Sequence, residues 1–200
     1  MPQDEAMAER PGTRELGPTD SVNFTEQLSG WLELPFRQAA VRLVLRASMP
    51  GWEAFRTDPH HRLNVEGTID IDGFASARPV TGTLALFPDD AGAAVEYSLS
   101  FSSDDHVDLH LRGAKAQRPG NPRALWYDFT TTRFELTAPD GTALRGLLRT
   151  PTPQALRCLA SLRATAESVP LRLGTLGRFG VHFTAGAVKG LLPDRRVTRR

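Results

Sequence analysis

The sequence predicts an all-β fold, a meandering antiparallel barrel of about eight or nine strands with two short helices at its corners and a helix at its C-terminal end. Three observations carry that prediction. Apolar residues recur every second position over most of residues 41–149, as in Leu63-Asn64-Val65-Glu66-Gly67-Thr68-Ile69-Asp70-Ile71, the period of strands whose side chains alternate between two faces. Pro-, Gly- and Asp-containing turns interrupt these runs at hairpin spacing. Helical spacing is sustained only near the C-terminal end, in 171–192.

Composition fits one domain. The chain has 200 residues, 40% of them hydrophobic and 24% charged, enough for a single apolar core. No apolar run approaches the roughly 20 residues of a membrane-crossing helix. The start, Met1-Pro2-Gln3-Asp4-Glu5, lacks a basic and apolar signal, and the single Cys158 has no internal disulfide partner; both point to the cytoplasm. Charge is uneven, with five acids against two arginines in residues 1–20 and seven bases against Asp194 in residues 172–200.

Residues 1–20 are polar and carry three prolines, the composition of a disordered tail. A single domain over 21–192 follows. Asn23-Phe24-Thr25-Glu26 has the form of a helix cap, with Gly30 as its stop, before the extended Trp31–Phe36. Val41–Ala47 is a strand, Pro50–Phe55 a short helix, and Leu63–Asp72 and Val80–Phe87 two further strands whose Val65, Ile69 and Leu84 face one core. Ala93–Phe101 and Val107–Leu111 continue the meander, with a loop at Gln117–Pro122. The aromatic and β-branched run Trp126–Leu136 reads as one strand, turned by Pro139-Asp140-Gly141 into Ala143–Arg149. Pro151–Leu159 repeats the Pro-initiated short helix, and Ser161–Ala166 alternates again. The stripe Leu173, Leu176, Phe179, Phe183, Ala187 and Leu191 predicts an amphipathic helix despite five glycines, and 193–200 reads as a frayed basic end. Sequential hairpins give up-and-down order, and closure removes exposed edges, so a calycin-like barrel is preferred to a sandwich.

Several segments then become familiar. Leu28-Ser29-Gly30-Trp31-Leu32, Asp58-Pro59-His60-His61, Val65-Glu66-Gly67-Thr68-Ile69, Gly82–Phe87, Leu111-Arg112-Gly113-Ala114-Lys115 and Leu125–Thr132 resemble, in that order, a β-rich module that accompanies bacterial flavin oxidoreductases of the glucose-methanol-choline, cholesterol-oxidase-like group and some lipid-related hydrolases. The likeness spans roughly residues 24–190. It implies an accessory module in a steroid or lipid setting and brings no catalytic residue. The chain has neither a Gly-x-Gly-x-x-Gly turn opening a βαβ unit nor a Gly-x-Ser-x-Gly elbow, so no dinucleotide cofactor and no acyl-hydrolase site is expected.

Candidate chemistry is sparse. His106, Asp108 and His110 share one strand face at a spacing that suits a metal, although a polar outer face carries such residues routinely. Asp58-Pro59-His60-His61 reads as turn chemistry before acid–base chemistry. Cys158 reads as a small buried apolar residue, and the arginine-rich end as solvated and not nucleic-acid binding. For 171–200, packing across the barrel mouth is preferred to peripheral membrane contact. The inward row Val107, Leu109, Leu111, Gly113 leads to Lys115, and the row Leu136, Phe134, Thr132, Thr130 leads back to Asp128 and Trp126. Lys115 and Asp128 are therefore expected to meet at one rim beside Trp126, either as a closing salt bridge or as the polar anchor of a ligand pocket. The expected function is a non-catalytic barrel for an apolar, lipid- or steroid-like ligand or for a lipid-metabolising partner enzyme. The alternative is a small metal-assisted enzyme using His106, Asp108 and His110.

Overall fold

The expected barrel forms. In a computed structural model, residues 21–88, 93–116, 125–165 and 169–191 are described, and the two expected tails and the turns at 89–92 and 117–124 lie outside them. The elements in chain order are β1 (Ser21–Glu33), β2 (Gln38–Ser48), α1 (Trp52–Thr57), β3 (Arg62–Ile71), β4 (Ala75–Leu86), β5 (Ala93–Ser102), β6 (Asp108–Ala116), α2 (Leu125–Thr130), β7 (Thr131–Thr137), β8 (Ala143–Arg149), α3 (Thr152–Ser161), β9 (Arg163–Thr165) and α4 (Val169–Leu191). Strands β2 to β8 each pair antiparallel with the next, and β1 closes the ring by pairing with both β8 and β2. β9 is a ninth strand added to β1.

The alternation read from the sequence fills the interior. Leu43, Leu63, Ile69, Leu99 and Leu111 are all at most 1% exposed, and Val65, Ile69 and Leu84 share the core as expected. Fully burying a side chain of this size contributes roughly 1.5–3 kcal/mol. The chain order puts the turns β1–β2, β3–β4, β5–β6 and β7–β8 at one end and α1, α2, α3 and α4 at the other. No helix of the described residues is long and apolar enough to cross a membrane.

Two local readings change. Residues 23–30 are strand and not a capped helix, because β1 pairs with β2 from Asn23 to Glu33 and tertiary pairing outweighs a local cap signal. Gly30 is required by close approach: a Cβ there would lie 1.9 Å from the Leu147 carbonyl oxygen. Leu125–Thr130 is helix α2 and not the start of β7. The Thr130 hydroxyl donates to the Trp126 carbonyl oxygen at 2.7 Å, a bond that helical geometry permits and an extended chain does not.

Candidate ligand-binding site

The barrel wall has a seam at the helical end. Along its edge away from β2, β1 pairs with β8 over Ser29–Leu32 and with β9 over Ser21–Asn23, which leaves Phe24–Leu28 without a strand. Helix α3 fills that gap. Ser161 Oγ accepts a hydrogen bond from the Thr25 amide at 2.9 Å, so a side chain replaces the missing ladder partner.

Glu26 points inward at this seam. It is 5% exposed and reaches partners on strands across the lumen, since β5 lies four strands from β1 in the ring. Lys115 of β6 pairs with Glu26 Oε1. Tyr97 Oη of β5 donates to Oε2 at 2.7 Å, and Thr150 Oγ1 donates to Oε1 at 3.2 Å. The Lys115 ammonium also sits 5.6 Å from the Tyr97 ring centroid, within cation–π range. The Thr132 hydroxyl adjoins the phenol but makes no hydrogen bond of ordinary geometry. Among the described strand residues, Glu26 and Lys115 are the only buried charges.

Electrostatics follow from this packing. Burial by itself pushes the Glu26 carboxyl up, but the Lys115 charge and the hydrogen bonds from Lys115, Tyr97 and Thr150 outweigh it and hold the group below its ordinary value. The Tyr97 phenol is pushed well above its usual range, first by burial and then by the Glu26 charge. Cys158 of α3 senses the same charges: burial and then Glu26 push its thiol up to about 12, partly opposed by Lys115. A thiol so raised stays protonated near neutral pH and makes no nucleophile.

Helix α4 covers this end with two aromatic groups. Phe183 contacts Phe87 and Phe129 at ring-centroid distances of 5.2 and 5.8 Å. Phe179, one turn earlier, and His182, the residue before Phe183, meet Phe55 at 6.2 and 5.2 Å, and His182 lies 4.4 Å from His61. His61 Nδ1 and His182 Nε2 are buried without hydrogen-bond partners, and burial first, then His61, holds the His182 imidazole below its ordinary value. Two of the residues that meet α4, His61 and Phe87, have φ of 47° and 50°, as Ala77 and His106 do at the turn-bearing end with 46° and 60°, a left-handed conformation costly for bulky side chains. Backbone strain of this kind concentrates at ligand clamps and switch regions.

The expected site residues separate. Lys115 is buried and inward as read, but its carboxylate partner is Glu26 and not Asp128. Helix α2 is the physical reason: counting by twos holds on a strand, whereas on a helix it puts alternate residues on different faces. Asp128 is accordingly buried, while Trp126 is 52% exposed. His106 sits in the β5–β6 turn at φ 60°. Asp108 accepts from Ser102 Oγ at 2.7 Å, and His110 Nδ1 lies 3.1 Å from Ser100 Oγ on the outer face. No group of three or more metal-ligating side chains occurs among the described residues. Asp58 holds its corner by bonding the His60 amide and the Arg62 side chain, and the Arg62 hydrogen bond leads the causes that hold its carboxyl far below the ordinary range.

Compared with protein families, with curated proteins and with solved structures, the chain has no match.

Proposed function

We propose that this chain is a non-catalytic binding module for an apolar, lipid- or sterol-like molecule with one polar end, held where α4 covers the barrel. The observation that carries the reading is the Glu26–Lys115–Tyr97–Thr150 cluster, whose Glu26 and Lys115 are the only buried charges among the described strand residues. Ligand sites of this kind are mostly apolar with a few convergent polar groups. A buried ion pair is seldom retained for stability, since a well-packed apolar replacement is often neutral or better. The Phe87, Phe129 and Phe183 rings, which pack on one another at the same end of the barrel, supply further apolar surface.

The chemistry of the cluster selects the ligand's polar end. Glu26 already neutralises Lys115, so a ligand carboxylate would enter beside a like charge. A neutral carbonyl or hydroxyl accepts from a further N–H of Lys115 without that repulsion. The likeness of 24–190 to modules found beside cholesterol-oxidase-like enzymes points the same way, and a lipid-metabolising enzyme in the cytoplasm is the partner this reading supplies with ligand. Native mass spectrometry of the purified full chain, incubated with cholesterol, a long-chain alcohol, a fatty acid and an alkane, tests it. Wild type should retain the sterol or alcohol at one to one, and Glu26→Leu/Lys115→Met should not. Retention of none of them, or equal retention by both proteins, would remove the reading.

A further inference from the structure

The described residues leave ten large apolar side chains in solvent, and eight of these lie on α2, α3 and α4. All three helices are at the same end of the barrel. On α4, Leu173 is 66%, Val181 71% and Val188 51% exposed, on the side of the helix opposite Phe179. Leu156 and Leu159 of α3 are each 58% exposed, and Trp126 of α2 is 52% exposed. So α4 buries one apolar stripe against the barrel and turns a second one outward. A row of exposed apolar side chains along one helix face, as on α4, marks an interaction site.

Charge identifies the partner. The only acid on these three helices is Asp128, and it is 4% exposed. Arg157 of α3 and Arg172 and Arg178 of α4 are exposed at this end. An outward face that is apolar and positive complements an anionic bilayer, where aliphatic side chains enter the acyl boundary and arginines meet lipid headgroups. Trp126 has the amphipathic ring favoured at that depth. The same charge pattern opposes a second copy, because pairing two such faces sets like charges together.

We infer that the helical end docks on the surface of a membrane containing anionic lipid, with the outer stripe of α4 lying in the interface. The inference does not depend on the proposed ligand. It places the cover of the barrel against lipid, so a molecule leaving the bilayer meets α4 first.

Co-sedimentation of the full chain with unilamellar vesicles tests this. Wild type should bind vesicles of phosphatidylcholine mixed with phosphatidylglycerol at least about tenfold more tightly than phosphatidylcholine alone, and salt should weaken the binding. Leu173→Glu/Val181→Glu and Arg157→Glu/Arg178→Glu alter exposed positions, so both should melt like wild type and bind the mixed vesicles about tenfold or more weakly. No binding to either vesicle, equal binding to both, or variants that bind like wild type would overturn the inference. So would a wild-type dimer in sedimentation equilibrium that Leu173→Glu/Val181→Glu dissolves, since the surface would then join two copies.

Discussion

Glu26 occupies a position where its neighbours along the inward row, Phe24 and Leu28, are apolar. Its carboxylate and the Lys115 ammonium each lose hydration on folding, and only the full set of bonds from Lys115, Tyr97 and Thr150 offsets that loss. Removing one partner therefore costs more than removing both. Glu26→Gln and Lys115→Met should each lose about 3–5 kcal/mol in urea melts, and Glu26→Leu/Lys115→Met clearly less than their sum; additive losses would mean that the two groups are not coupled. The pH dependence has a definite sign. The folded Glu26 carboxyl lies below its ordinary value of 4.5, so its contribution is present above that value and is lost as pH falls through the lower folded one. The double variant should lose this part of the acid slope. Lys115 was legible in the sequence as an inward charge on an alternating row. Glu26 was not, because Asn23-Phe24-Thr25-Glu26 mimics a helix cap and because its partners lie 71, 89 and 124 residues away.

At the scale of elements, β3, β5 and β6 were legible because one face of each is buried and the period of two survives over most of their length, while β4 keeps it only in part, its register against β3 shifting between Ile69 and Ile71. β1 and α2 were not. Gly30 in β1 answers the Leu147 backbone, a contact that exists only once the ring closes. Helix α2 carries aromatic and hydroxyl residues that local propensity assigns to strand. The C-terminal helix was legible from its stripe, yet only part of that stripe packs: Phe179 is 5% exposed while Leu173 is 66% exposed. Three glycines of α4, Gly174, Gly177 and Gly180, have open space where a Cβ would be. Packing does not require them, and each lowers helix stability by about 1 kcal/mol relative to Ala. Gly177→Ala should slow amide exchange in α4 and raise stability by about 0.5–1 kcal/mol, with no clash. Faster exchange in that variant would mean that the glycine serves a contact.

For the whole molecule, ring closure joins these scales. Eight strands close the wall, apolar side chains fill the turn-bearing end, and the charged cluster lies toward the helical end. α3 seals the seam beside Glu26, and α4 lies over the mouth. The sequence could announce strands and their faces, since those depend on neighbours along the chain. It could not announce the seam, because that depends on where β8 leaves β1. Equilibrium titration of a sterol, a long-chain alcohol and the matching fatty acid into wild type and into Glu26→Leu/Lys115→Met tests the central claim most directly, since the double variant keeps the wall and removes only the anchor. The account predicts saturable one-to-one binding of the neutral ligands by wild type, weakened about tenfold or more in the variant as a charged hydrogen bond is lost, with the fatty acid bound less tightly. Equal affinity in the two proteins, or no saturable binding by wild type, would contradict it.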